Sequence, residues 1–462
     1  MASVAEGDSL NTRPIVVGCG PAGMFAALIL AQAGLHPILL ERGSDVDSRR
    51  ESVLHFWKTG ILDTQTNVQF GEGGAGTFSD GKLKIGKRDP YKVKVLSELI
   101  AAGAPKEILH IGKPHIGTDC LHNTVKGLRE RIISLGGDVR FQATVTDIFR
   151  REGQVTGIGC IEKDQYTEIS TEHVILAIGN SARDTFEKLL QSGVHMEQRP
   201  FAVGVRIEHP QELINRIQYR KINGPPPPYA ADYKMVVHLS NGRGVYTFCM
   251  CPGGVVIAAT SEENAVVTNG MSAYRRDGRN ANSALLITVD SKDIGNDHPL
   301  AGVAFQRKIE AAAFAAGGGG YKAPVQRLED FFAGKESKAF GDVLPTYRPG
   351  TCFSRVESYL PMDVTDSLRQ ALIEMGEWMP GYAYPDALLT GAETRSSSPV
   401  RITRGDQLEA VGIRGLYPCG EGAGYSGGII SAAVDGIRCA ERIMGHSFNG
   451  NPSTNTSGTG RR

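Results

Sequence analysis

The sequence predicts an α/β fold: a parallel sheet flanked by helices, interrupted by a long insert of mixed α+β character. Three observations carry that expectation. A strand, a glycine turn, a helix and a second strand follow one another over residues 14–42. A strand, a glycine-rich loop and a helix return near the end, in GLYPCGEGAGYSGGIISAAVDGIRCAERI. Between them residues 195–390 differ in texture, with PFAVGVRIEHP, four prolines at 225–228 and GGGG at 317–320. A length of 462 residues also exceeds one ordinary core, so two interleaved domains are expected.

In the opening unit, RPIVVG reads as a buried strand and PAGMFAALILAQAG as a helix that Gly34 ends. HPILLER is the second strand. The turn between them, Gly18-Cys19-Gly20-Pro21-Ala22-Gly23, is a GxGxxG fingerprint. Gly18 permits the tight turn, Gly20 lets backbone approach a pyrophosphate, and Gly23 lets helix and strand pack closely. The helix start, with Pro21 and Ala22, offers unpaired N–H groups and positive partial charge to phosphates. Glu41, at the end of the second strand, has the spacing of a carboxylate that accepts from ribose hydroxyls. Arg42 beside it is a candidate for phosphate or adenine contact, or a solvated side chain. GxGxxG alone is a weak signal; joined to strand, helix, spacing and acid it is strong.

Downstream, LHNTVKGLRERIISL at 121–135 has the periodicity of an amphipathic helix. Residues 138–179 read as several strands with turns at Glu152–Gly153 and Lys163–Asp164, ending on the apolar strand HVILAIG. The proline run should be an extended surface loop. Residues 1–13 read as a flexible lead, and the Ser/Thr/Asn/Gly-rich stretch 447–462 as a disordered tail.

Composition narrows the class. Hydrophobic residues make up 41% and charged residues 22%, which suits a soluble globular protein. Lys plus Arg equals Asp plus Glu at 50 each, so no global charge favours nucleic acid or an anionic membrane. The eight cysteines contain no CxxC and no zinc-type spacing, and no metal site is expected. No signal peptide and no apolar run of about 20 residues is present, so a cytoplasmic protein with free thiols is expected. The 57 glycines exceed the usual roughly 7% and cluster at 18–23, 71–76, 317–320 and 420–428, where backbone must turn or approach a ligand.

The glycine clusters point to one cofactor. Ala177-Ile178-Gly179 resembles the ATG-type segment that crosses the cofactor in flavoproteins with two dinucleotide-binding domains. The strand centred on Val145 resembles the one whose backbone meets adenine there. Leu416-Tyr417-Pro418-Cys419-Gly420-Glu421-Gly422 resembles their second ribityl and pyrophosphate loop, with Glu421 where Asp is usual. Gly427, Gly428 and Ile429 open a helix whose start should face the pyrimidine edge of the flavin, where fixed N–H dipoles stabilise negative charge. The resemblance implies FAD and an FAD-binding Rossmann-like domain of the glutathione reductase type over 14–194 and 391–446. It also implies an inserted mixed α+β substrate domain over 195–390.

At Gly71-Glu72-Gly73-Gly74-Ala75-Gly76-Thr77-Phe78-Ser79-Asp80-Gly81-Lys82-Leu83 the resemblance sharpens to the bacterial family of uncharacterised FAD-dependent dehydrogenases. RPFAVGVRIEHP, YTFCMCPGG, TNGMSAYRRDGRNANSALL, GVAFQR and ETRSSSPVRI carry the same resemblance, which spans roughly residues 14–445. It implies that Gly73, Gly74, Gly76 and Thr77 wrap the flavin side of FAD. Asp80 and Lys82 follow as candidate catalytic residues, or as a turn that bonds to itself. Arg395 is a third candidate, for a substrate carboxylate or ribityl phosphate, or else a bridge at the domain junction. Asn280 and Asn282 read as cap or core polar residues. Cys249 and Cys251 are either a redox pair on one strand face or buried small hydrophobes, and burial is the expectation.

The expected function is that of an FAD-dependent oxidoreductase, a dehydrogenase or reductase passing hydride between a small organic substrate or NAD(P)H and FAD. The family name supplies no substrate. A flavin monooxygenase and, in another class, an RNA-associated flavoprotein scaffold resembling the glucose-inhibited division protein family are the alternatives. The expected partner is a small molecule, with neither nucleic acid nor membrane. No second complete GxGxxG is present to hold NAD(P)H in a domain of its own.

Overall fold

The computed structural model describes residues 10–83, 89–220, 227 and 229–445. The expected tail at 447–462, most of the expected lead and all of the proline run except Pro227 lie outside the described residues. Thr12 and Arg13, at the end of the lead, are bonded: Glu172 N donates to Thr12 Oγ1 at 3.0 Å and Arg13 Nε to the His36 carbonyl at 2.6 Å. Among the described residues, no helix is long and apolar enough to cross a membrane.

The chain opens with β1 (Ile15–Val17), helix α1 (Pro21–Gln32) and β2 (Ile38–Leu40). Helices Val46–Thr59 and Thr118–Ser134 precede β3 (Asp138–Arg140). Three antiparallel strands follow: β4 (Ala143–Arg151), β5 (Gln154–Glu162) and β6 (Gln165–Ser170). They turn at Glu152–Gly153 and Lys163–Asp164, all with positive φ. β7 (Val174–Leu176) then re-enters the first sheet.

After β8 (Met196–Gln198), β9 (Phe201–Pro210) begins a second sheet. β10 (Val236–His238), β11 (Gly244–Cys251) and β14 (Asn280–Val289) join it, while β12 (Val255–Ala258) and β13 (Thr268–Met271) form a separate antiparallel pair. β15 (Ala323–Arg327), β16 (Thr351–Phe353) and β17 (Leu388–Glu393) complete the second sheet, before β18 (Val400–Ile402) pairs with β8. β19 (Leu416–Pro418) and the C-terminal helix Ile429–Ile443 return to the first sheet.

The first sheet has order β19-β7-β1-β2-β3 and is parallel throughout. The short apolar strands β1, β2, β7 and β19 are buried, as strands of parallel sheets are, whereas the edge strand β3 is half-buried. Val16, Leu39 and Ile175 pack on α1 and the C-terminal helix, whereas Ile15, Val17, Ile38, Leu40 and Leu176 face the three-stranded meander and helix Arg183–Gln191. Gly436 allows the two helices to touch: a methyl there would stand 2.0 Å from the Ala22 carbonyl oxygen. The second sheet has order β10-β11-β14-β9-β17-β15-β16 and is antiparallel except for β15 with β16. Trp57, on helix Val46–Thr59, donates Nε1 to the Ala258 carbonyl of β12 at 2.9 Å.

Candidate functional site

The two sheets enclose one continuous cleft of about 900 Å³, running from the fingerprint to the wall made by β11 and β13. At one end, Gly18 has φ +99, and a methyl there would lie 2.3 Å from the Ala177 carbonyl oxygen. Gly23 is still tighter, since a methyl would fall 1.8 Å from the Gly18 carbonyl oxygen. Gly20 is different: the nearest atom to its missing Cβ is the Gly74 Cα at 3.8 Å, so its open side is the cleft. That is the geometry a pyrophosphate needs at a helix start.

Glu41 is 5% exposed and accepts three backbone N–H groups: Cys19 at 2.8 Å, Gly43 at 3.0 Å and Gly71 at 2.8 Å. It therefore fastens the fingerprint to the glycine loop, and Oε2, which takes only the Cys19 N–H, keeps acceptor capacity for a ribose hydroxyl. Arg42 is neither solvated nor free. It donates to both Asp184 oxygens at 3.1 Å and to Thr185 Oγ1 at 2.8 Å, and it lies 4.4 Å over the Phe70 ring.

The glycine loop is shaped by a residue that sequence reasoning missed. Arg49, on helix Val46–Thr59, is fully buried and donates to five carbonyls: Asn67 at 2.8 Å, Val68 at 2.9 Å, Gly71 at 3.3 Å, Glu72 at 2.6 Å and Gly74 at 3.0 Å. A guanidinium has five N–H donors in a fixed fork, so it templates the loop. Burial lowers its pKa to about 10 while Glu41, Cys19 and Glu72 pull it up, so the charge persists at neutral pH. A basic residue on a helix whose partners are all backbone carbonyls gives no sequence signal of such a role.

Most of the expected cofactor residues line this cleft. They are Gly18, Gly20, Pro21, Ala22, Glu41, Arg42, Gly74, Gly76, Val145, Ala177, Gly179, Gly420, Glu421, Gly427, Gly428 and Ile429. Gly23 sits behind them as the packing residue. Gly73 and Thr77 do not line the cleft: Gly73 N donates to the Cys19 carbonyl at 2.7 Å, and Thr77 Oγ1 donates to the Glu72 carbonyl at 3.5 Å. The loop turns them inward against Val125. Glu421 Oε1 accepts from Asn180 Nδ2 at 3.4 Å, and burial pushes the carboxyl up to about 7. The open face of Gly20, the α1 start, the Glu41 carboxylate and the start of the C-terminal helix fit a flavin dinucleotide.

The three catalytic candidates have distinct settings. Asp80 is 3% exposed and takes Arg276 Nε at 2.9 Å, Arg276 Nη2 at 2.5 Å, Lys82 Nζ at 2.9 Å and the Ser272 hydroxyl. Burial pushes its carboxyl up, but Lys82, Arg276 and Ser272 outweigh it and hold it at about 2. It is an ionised clasp between the glycine loop and the segment holding Ser272 and Arg276. Lys82 bonds Asp80 and the Met250 carbonyl and has one N–H left for the cleft. Arg395 lines the cleft with its donors committed to the protein. They go to Glu310 at 3.1 and 2.8 Å, Ser261 at 2.6 Å, Ser181 at 3.2 Å and Glu262 at 3.3 Å.

Arg395 belongs to a junction hub. Arg183, 1% exposed, donates to Glu310 at 2.8 and 2.7 Å and to Gln306 at 2.9 Å, and pairs with Glu262. Burial pushes the Glu310 carboxyl up, yet Arg395 and Arg183 hold it far below the usual carboxylate range. Behind the cleft wall, fully buried Arg206 pairs with the lining residue Glu393 at 2.6 Å and bonds Asn282 Oδ1 at 2.9 Å. Asn280 and Asn282 are buried polar residues. Cys251 is buried as expected, but Cys249 is exposed, because β11 bulges there.

Residues 200–396 match the family model described as FAD-dependent protein, C-terminal domain-like. A protein of Clostridium beijerinckii described as uncharacterized is 51% identical over 438 residues, covering 95% of this chain and 81% of that protein. A geranylgeranyl bacteriochlorophyll reductase-like protein from Thermoplasma acidophilum superposes with a TM-score of 0.39 at 14% identity, over 93% of this chain and 77% of its own. A quinol fumarate reductase of E. coli does so with a TM-score of 0.40 at 11% identity, over 95% and 70%.

Proposed function

The chain belongs to the family of FAD-dependent proteins with this C-terminal domain, and from that premise we propose that it is an FAD-dependent oxidoreductase of the dehydrogenase or reductase kind. Its substrate is a small organic molecule, bound where the cleft passes beneath β11 and β13, with NAD(P)H as a candidate donor. The observation that carries this reading is the continuity of the cleft: the space that begins at Gly20 and Glu41 ends against Tyr233, Phe248, Cys249 and Asn269 of the second domain. Ligand clefts at domain boundaries, apolar with a few placed polar groups, are the usual setting of such chemistry.

FAD supplies the two-electron step when bound. The chain's residues supply the rest. Lys82 offers one N–H to a substrate oxygen. Asp80, ionised and saturated, orients Lys82 and donates no proton at neutral pH. Arg206 and Glu393 fix the far wall. A small-molecule partner and a cytoplasmic location belong to the same reading, supported by the balanced charge of the sequence.

The test is an absorbance spectrum of the purified protein, followed by anaerobic NADH and then NADPH. Oxidised-flavin bands that bleach on addition are the expected result for a nicotinamide-driven reductase. Bands that persist assign reduction to the organic substrate instead. Oxygen consumption coupled to product hydroxylation would replace this reading with a monooxygenase, and a protein that holds no flavin after reconstitution would end it.

A further inference from the structure

Resting on the flavin reading above, we infer that Cys249 and Cys251 form a second two-electron centre in the cleft, a dithiol/disulfide couple that exchanges reducing equivalents with the flavin and with small disulfides. Strand β11 pairs regularly with β14 from Val245 to Phe248, then shifts register before Cys251 meets Asn282. Cys249 lies inside that bulge with φ +42, a conformation few residues with a Cβ adopt. Bulges re-aim side chains. Here Cys249 is exposed on the cleft wall while Cys251, two residues on, is buried and also lines the cleft.

The spacing suits a bond. In a straight strand a rise of about 3.3 Å per residue sets alternate Cα atoms about 6.6 Å apart, at the outer end of the roughly 4.4–6.8 Å range over which disulfides close. Cys251 Sγ already folds back to donate to the Cys249 carbonyl at 3.2 Å. Two cations grip the same segment: Arg206 Nη1 donates to the Cys249 carbonyl at 3.3 Å and Lys82 Nζ to the Met250 carbonyl. Burial outweighs the pull of both cations and holds both thiols above the ordinary value, Cys249 at about 12, so the exchange is expected to run fastest at alkaline pH.

The chemistry balances. The Cys249 thiolate attacks a small disulfide, forming a mixed disulfide and expelling one thiolate. Cys251 then attacks the Cys249 sulfur, closing the Cys249–Cys251 bond and expelling the second thiolate. Two electrons have passed to the acceptor, and the two protein thiol protons end on the released thiols. A hydride equivalent from reduced FAD and one proton then break the Cys249–Cys251 bond, restoring both thiols and leaving FAD oxidised.

The experiment uses the FAD-loaded protein, oxidised with excess oxidised glutathione, desalted, mapped by mass spectrometry and titrated anaerobically with dithionite. The expected results are a loss of about 2 Da in the peptide holding Cys249 and Cys251, and uptake of about four electrons per FAD against about two in C249S and C251S. An oxidised wild type that takes up about two electrons, or a bond that maps elsewhere, overturns the inference while the flavin reading stands. A protein without flavin absorbance after reconstitution sinks the flavin reading and the exchange with it.

Discussion

Gly20 and Gly74 meet backbone to backbone. A methyl on Gly74 would stand 3.0 Å from the Gly20 Cα, whereas one on Gly20 would stand 3.8 Å from the Gly74 Cα. Both residues line the cleft, so the point where two glycine segments touch is also part of its wall. The fingerprint thus holds glycines of two kinds, those the fold needs and one that a ligand needs.

The two kinds are separable by substitution. Gly23→Ala places a methyl 1.8 Å from a backbone oxygen, and a destabilisation of about 3 kcal/mol is expected in urea unfolding. Gly20 has φ −79 and open space beside it, so Gly20→Ala should leave the flavin-free protein within about 1 kcal/mol of wild type. Its FAD affinity should fall at least about tenfold, read by fluorescence titration, because the methyl points where the pyrophosphate belongs.

Arg49→Met removes five donors from one loop. Leaving those carbonyls unpaired should cost about 3–5 kcal/mol, and the purified protein should carry little flavin. Arg49→Lys should recover only part of this, since an ammonium has three donors and no fork. A lysine variant with full flavin content would show that charge alone organises the loop.

Asp80 gives the protein an acid limb. Its folded pKa of about 2 lies below the ordinary 3.8, so the stability it contributes is present above about pH 4 and lost as pH falls through 2. The size is about 2 kcal/mol. Asp80→Asn should lose that much at pH 7, leave Lys82 and Arg276 without their anion, and flatten the acid limb of denaturation midpoint against pH.

Glu421 acts with the opposite sign. Its folded pKa of about 7 lies above the ordinary 4.5, so between those values the folded chain holds a proton that the unfolded chain has released. Stability of the flavin-free protein should fall as pH rises from about 4.5 to 7 and level off beyond. Glu421→Gln should remove that slope and be the more stable form at pH 8. Identical slopes for both proteins would show that the carboxyl is well solvated.

What was legible in the sequence follows from the range of the forces involved. The turn at Gly18–Gly23, the acid at Glu41 and the helix after Gly428 are local features, set by backbone geometry within a few residues. The meander of β4 to β6 was legible because its turns fall at Glu152–Gly153 and Lys163–Asp164. The role of Arg49 was not, because its partners are carbonyls, which every residue has. The exposure of Cys249 depends on a bulge against β14, a register set by a strand that pairs from Asn280 onward. The inward turn of Thr77 depends on its packing against Val125, on another helix. Arg395 carries two possible readings in sequence, and only the positions of Glu262 and Glu310 show it committed to the junction.

The hub of Arg183, Glu262, Glu310 and Arg395 has a consequence for recombination. Its members come from four separated stretches, so any crossover between Arg183 and Arg395 divides it. A chimera joining this chain's opening half to another protein's second half would inherit a buried charge stripped of its counterpart, at about 3–5 kcal/mol. Single junctions are therefore tolerated only before Arg183 or beyond Arg395, and the second domain can be transplanted only into a host that already carries the matching guanidinium.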